Sequence, residues 1–205
     1  MLFVIAAIAS ALGYQSLASS SSRAASPIDV PRSEYPGALG HGYGAVPRGE
    51  HRRALGEADG AVPKGTSVFD VEVHGVANLD PALLGALRQA ATAAASDGVV
   101  FVVDSGWRSP AYQEHLFDEA VSEYGSEREA ARWVATPKTS AHVSGDAVDI
   151  GPHDAAAWLS DHGATYGLCQ IYGNEPWHYE LRPEAVNQGC PPMYADPTHD
   201  PRMQQ

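Results

Sequence analysis

The stretch "SAHVSGDAVDIG", Ser140–Gly151, places a histidine seven residues before an aspartate, with Ser144, Gly145 and Ala147 between them. "DAVDI" reads as a short strand, and the small residues ahead of it as the turn leading in. His142 then stands just before the strand and Asp149 near its end, so the Ser144–Gly145 turn folds both onto one centre. A hydrolytic zinc site needs three protein ligands and an open position for water. His142 and Asp149 offer a nitrogen and an oxygen, and His178 in the separate segment "WHYEL" (177–181) offers a third donor. One carboxylate among three ligands leaves a charge of about +1, acidic enough to bring water near pKa ~7.

Taken singly, these signals are weak. A lone histidine in a turn is structural more often than it is a ligand, and His178 beside Trp177 also fits a core histidine held by a backbone carbonyl. His153 is the rival ligand, four residues after Asp149, but it begins a helix that points it away. His115, His162 and His199 read as helix-face or tail residues. The general base is open at this point. Glu180 shares a strand face with His178, because side chains repeat every two residues. Glu175 precedes Pro176 in a turn, where parity is silent. Spacing does not separate the two.

Outward from this stretch the elements alternate. "SVFDVEVHG" (67–75) reads as a strand. "DPALLGALRQAATAAASDG" reads as a helix with Asp80 as N-cap, Pro81 at its first position and Gly98 past its end. "VVFVVDSG" (99–106) is a continuous apolar run of strand length. Ser109–Pro110 opens a helix with Tyr112, Leu116, Phe117, Ala120, Val121 and Tyr124 at helical spacing. Gly125 closes it, and Ser126 with Glu129 forms a capping box for a short helix. "HDAAAWLSDHG" is a helix and "WHYEL" the terminal strand. Mixed order without a βαβ repeat predicts a compact α+β domain.

Length and charge bound the rest. The 205 residues suffice for one domain plus extras, and 44% hydrophobic residues allow a real core. Residues 1–65 carry six Lys/Arg against five Asp/Glu, whereas 66–205 carry seven against twenty. An acidic domain has no basic surface with which to displace phosphate counterions, so nucleic acid is excluded as a partner. "MLFVIAAIASALG" is too short to span a bilayer, which takes about 20 apolar residues. It fits the apolar region of an export signal, with residues 1–18 as signal peptide or N-terminal anchor, although no Lys or Arg precedes it. Residues 19–66 are rich in Ser, Pro and Gly without apolar period and read as a flexible linker, leaving 67–205 as the folded domain. In an exported protein, Cys169 and Cys190 suggest a disulfide, the alternative being two buried thiols.

Four segments in order, "SGWRS" (105–109), "SAHVSGDAVDI" (140–150), "WLSDHGATYGL" (158–168) and "EPWHYEL" (175–181), resemble the VanY-type zinc D-alanyl-D-alanine carboxypeptidases. The pattern S-x-H-x-x-G-x-A-x-D followed by E-P-W-H is specific, and the resemblance covers about residues 80–181. It implies a small antiparallel sheet with flanking helices, of the hedgehog and D,D-peptidase type. It implies one zinc per chain on His142, Asp149 and His178, and Glu175 as general base. It makes Arg108 the group that holds substrate oxygens and the oxyanion, and Ser140 a substrate contact. Glu180 then becomes a partner for a ligand imidazole. The implied substrates are peptidoglycan stem peptides, met outside the cytoplasm by a secreted or envelope-held monomer, with membrane contact only through an N-terminal anchor. Between the last two motifs "CQIYGN" is short, so the loop lining the cleft reads as trimmed. A D-Ala-D-Ala dipeptidase or an L-alanyl-D-glutamate endopeptidase would use the same chemistry. A non-catalytic wall-binding module is a different class, against which Glu175 and Arg108 argue, because binding alone needs no base.

Overall fold

The computed structural model describes residues 54–204; the signal or anchor expected at 1–18 and most of the expected linker lie outside them. The sheet is antiparallel and four-stranded, in the order β1 (Val102–Ser105), β2 (Ala147–Gly151), β4 (His178–Leu181), β3 (Leu168–Gln170). β2 is buried at every position.

The two-residue period of a strand gives this sheet two faces with different tasks. Val103, Val148, Ile150, Leu168 and Tyr179 join the main core with Leu83, Leu87, Ala90 and Ala94 of α2 (Pro81–Ser96) and Leu159 of α6 (His153–His162). On the other face, Ser105, Asp149 and His178 stand opposite one another across β1, β2 and β4. Ser105 and Asp149 flank a bulge, and Glu180 pairs with Cys169 one step along. Strand parity thus sets Asp149, His178 and Glu180 on the face opposite the core, and the bulge between Val103 and Ser105 brings Ser105 into the same polar row.

Local signals explain the helices. Asp80 accepts the Ala82 and Leu83 amides at the start of α2, and Ser109 accepts the Tyr112 amide at the start of α3 (Pro110–Tyr124). α4 (Glu127–Ala130) is capped by Ser126, which accepts the Glu129 amide. The Glu129 carboxylate turns to Arg132 at 3.5 Å, so only the Ser126 half of the expected capping box forms. The apolar stripe of α3 is a cleft wall rather than a core face: Leu116, Ala120 and Tyr124 border the cleft described below.

Three expectations are corrected. "SVFDVEVHG" is not a strand but a run of turns ending in the single helical turn α1 (His74–Ala77). Asp70 accepts the Ser67 amide at 2.7 Å and the Ser67 hydroxyl accepts the Phe69 amide at 3.1 Å. Such short-range bonds occupy the backbone donors that a ladder would need. The linker boundary also moves, because residues 56–66 pack on the domain. The Asp59 carbonyl accepts the Ser109 amide, and the Thr66 carbonyl accepts the Val103 amide beside β1, both at 2.8 Å. Gly60, at φ 104°, lies so close to the Trp107 carbonyl that its oxygen leaves no room for a Cβ. Here Gly60 serves close packing, which composition does not distinguish from flexibility. Finally, the segment expected as a loop begins with β3.

Beyond β4 the chain forms α7 (Ala185–Gln188) and 3₁₀ turns at Pro197–His199 and Pro201–Gln204. A second small core of Cys169, Ile171, Tyr172 and Ala185, with Met203 against it, joins this segment to the sheet. Cys169 and Cys190 are disulfide-bonded across it, with Cα atoms 5.5 Å apart.

Candidate active site

Gly145 makes the opening motif fold. After the single turn α5 (Ala141–Ser144) it adopts φ 83°, a left-handed conformation that side chains resist. A Cβ there would lie 2.5 Å from the Asn78 carbonyl oxygen. The chain thus reverses between His142 and β2, bringing His142 over the Asp149 side of the sheet.

His142, Asp149 and His178 are all buried, and one donor atom from each lies within 4.8 Å of the others. The second nitrogen of each imidazole is already engaged. His142 Nδ1 donates to the Gly106 carbonyl at 2.8 Å, which leaves Nε2 facing Asp149 Oδ1 at 3.5 Å. His178 Nε2 meets Glu180 Oε1 at 3.3 Å, which leaves Nδ1 facing Asp149 Oδ1 at 3.2 Å. Ligand imidazoles are oriented in this way in metal sites. His, Asp and His with no fourth protein ligand among the described residues fit a catalytic zinc ion.

Glu175 sits in the turn before β4, its Oε2 3.8 Å from His178 Nδ1. Its Oε1 is buried and has no hydrogen-bond partner among the described residues. Burial pushes this carboxyl up to about 7 against the lowering pull of His178. Burial also lowers His142, with Arg108 adding to it. For His178 burial works the same way, but hydrogen bonds with Asp149 and Glu180 overcome it and hold the group up at about 9. Burial would raise Asp149, yet His142, His178 and Arg108 keep it well below the carboxylate range.

Arg108 is fixed at three nitrogens. Nε donates to the Ser105 hydroxyl at 2.7 Å, Nη1 to Gln113 Oε1 at 3.1 Å and Nη2 to Asp149 Oδ2 at 3.0 Å. Ser140 is buried at the head of α5 and its hydroxyl caps no amide there. Both border a cleft of about 320 Å³ together with the trio, Glu175, Trp177, and the stacked rings of Tyr124 and Trp133 at 6.0 Å. The structure thus brings His142, Asp149, His178, Glu175, Arg108 and Ser140 to one cleft, and leaves the rival ligand His153 at the start of α6, outside the cleft lining.

Several residues at the site escaped the sequence reading. Gln113 is buried, holds Arg108, and donates to the Ala135 carbonyl at 2.8 Å. A polar residue at the spacing of the α3 apolar stripe was its available signal. Tyr172 lies with its ring 5.1 Å from that of His178. Arg202 reaches Glu180 from the C-terminal segment, and no local pattern announces it.

Residues 76–184 match the family model described as D-alanyl-D-alanine carboxypeptidase, VanY. A D-alanyl-D-alanine carboxypeptidase from Enterococcus faecalis is 34% identical, over 54% of this chain and 52% of the relative, so the chain spans about half that protein's length. Among solved structures, VanYB in complex with D-alanine-D-alanine is 30% identical at a TM-score of 0.50, covering 54% of this chain and 78% of the other. The LdcB LD-carboxypeptidase is 25% identical at a TM-score of 0.50, covering 64% and 72%. With the family match extending over more than half of the residues and enclosing the His142–Asp149–His178 cluster and Glu175, this chain belongs to the VanY D-alanyl-D-alanine carboxypeptidase family.

Proposed function

We propose that the chain is a zinc-dependent D,D-carboxypeptidase that removes the terminal D-alanine from peptidoglycan stem peptides. The observation that carries this reading is the buried trio with the unpartnered Oε1 of Glu175 beside it, in a chain of this family. The likeness to a protein solved with D-alanine-D-alanine supports the substrate class.

Bound by His142 Nε2, Asp149 and His178 Nδ1, zinc would supply the Lewis acid that polarises the scissile carbonyl and brings water near neutral pKa. Glu175 takes a proton from the attacking water and returns it to the leaving amine, a role suited to a carboxyl held at about 7 with an acceptor to spare. Arg108 holds a substrate carboxylate or carbonyl oxygen. Three of its five N–H donors are engaged by the protein, which leaves two for substrate in a group already ordered. Ser140 offers its hydroxyl to the peptide at the cleft wall.

The test is incubation of the purified protein with pentapeptide and tetrapeptide muropeptides, with and without chelator, and mass analysis of products. The pentapeptide is expected to lose one alanine, chelator to stop this, and zinc to restore it. The likeness to LdcB favours one second reading, L,D-carboxypeptidase activity, which trimming of the tetrapeptide alone would establish. Release of an intact dipeptide, internal cleavage, or no product with zinc present would overturn the proposal. The same reading places the protein outside the cytoplasmic membrane, which the Cys169–Cys190 bond supports. Recovery in the cytosolic fraction with free thiols would contradict it.

A further inference from the structure

We infer that the C-terminal segment completes the metal site, and that Arg202 is a positioning residue which sets His178 through Glu180. This rests on the metal-site reading above, but concerns residues beyond the 76–184 family match.

An imidazole that is to present Nδ1 to a cation must be prevented from turning, and here the restraint on Nε2 is Glu180 Oε1. Glu180 is 1% exposed, so its carboxylate plane is set by protein partners alone. A buried carboxylate also needs compensating donors to remain ionised. Two arginines supply them in different ways. Arg182 reaches Oε2 at 2.7 Å. Arg202 forks over both oxygens, with Nη1 2.7 Å from Oε2 and Nη2 3.1 Å from Oε1, the oxygen that faces His178. A planar two-point contact fixes the plane of the carboxylate, which a single contact does not.

Arg202 is itself held. Its Nε lies 3.1 and 2.9 Å from the two oxygens of Asp200, which is fully buried, and Nη2 also donates to that carboxylate. Asp200 in turn accepts the Tyr172 hydroxyl at 3.0 Å, and the Tyr172 ring lies against His178. His178, Glu180, Arg202, Asp200 and Tyr172 thus form a closed circuit that begins and ends on one ligand imidazole. A residue that merely fastened the tail would not need to bridge the oxygen that orients a ligand.

The experiment compares zinc affinity, by chelator competition, and the visible spectrum of the Co²⁺ form in the full chain, its Arg202→Met and Arg202→Lys variants, and each in a Glu180→Gln background. Arg202→Met is expected to weaken zinc binding about 10–100-fold and to alter the Co²⁺ bands, with far-ultraviolet circular dichroism unchanged. Arg202→Lys keeps the charge but not the fork, and should fall between. In the Glu180→Gln background, loss of Arg202 should add little, because the path runs through that carboxylate. Wild-type affinity and spectrum in Arg202→Met, or an equal further loss in the Glu180→Gln background, would overturn the inference. Should Arg202→Met fail to fold, full zinc affinity in Arg202→Lys overturns it as well. A wild-type chain that binds no zinc would instead overturn the metal reading itself.

Discussion

His178 has a glutamate on either side, and the two are kept in opposite conditions. Glu175, in the turn before β4, keeps one buried oxygen without a partner and its carboxyl is pushed up to about 7. Glu180, two residues after His178, is as deeply buried, yet His178 and Arg202 more than offset the effect of burial and hold it below the carboxylate range. Burial alone therefore decides nothing about a carboxylate; its partners do. The side with a spare acceptor can receive a proton, and the saturated side can only hold geometry. This contrast supports the proposed assignment of Glu175 as base and Glu180 as orienting group without reference to the family, where residue spacing leaves the two undecided.

The sharpest way to break the contrast is Glu175→Gln, a nearly isosteric change. Turnover is expected to fall about 10²–10⁴-fold with zinc content retained and KM little moved, as measured by steady-state kinetics and metal analysis. The same variant has a second signature in the metal-free protein. A carboxyl whose folded pKa lies above its ordinary 4.5, at about 7, makes the native state less stable as pH rises through that window. Glu175→Gln should remove that slope, so its gain in thermal stability is expected to be larger at pH 8 than at pH 4.5. A gain independent of pH would place the group outside this account.

Next in size is the disulfide that secures the saturated side. Replacing both Cys169 and Cys190 by Ser opens a loop of 21 residues and is expected to cost about 3 kcal/mol by chemical denaturation. Glu180→Gln should weaken zinc binding about 10–100-fold while leaving turnover at saturating metal much less affected than Glu175→Gln does. If Glu180→Gln instead abolishes turnover with zinc bound, the assignment of the two glutamates is reversed.

The smallest effect expected is at Asp196, where burial is outweighed by bonds from Thr198, His199 and Arg132 that hold it at about 2. Its stabilising contribution is present above the ordinary 3.8 and is lost as pH falls towards 2. Asp196→Asn should flatten acid unfolding in that window and little else.

What the sequence by itself determined here is local. The turn at Gly145 needs a residue without a Cβ, and it sits three positions after His142, so turn and ligand share one motif. His178 and Glu180 share a face by strand parity, and Asp80, Ser109 and Ser126 cap helices a few residues away. Where local bonding competed with an apolar pattern, as at Ser67 and Asp70, the pattern misled. Only the tertiary structure decided the rest. The Arg108–Asp149 pair spans 41 residues and the Glu180–Arg202 pair 22, and the packing of residues 56–66 depends on Trp107 and Val103. Such contacts are set by sheet register and by which segment covers the polar face. Neither leaves a periodic trace in the chain, because the energy that selects them arises between elements rather than within one.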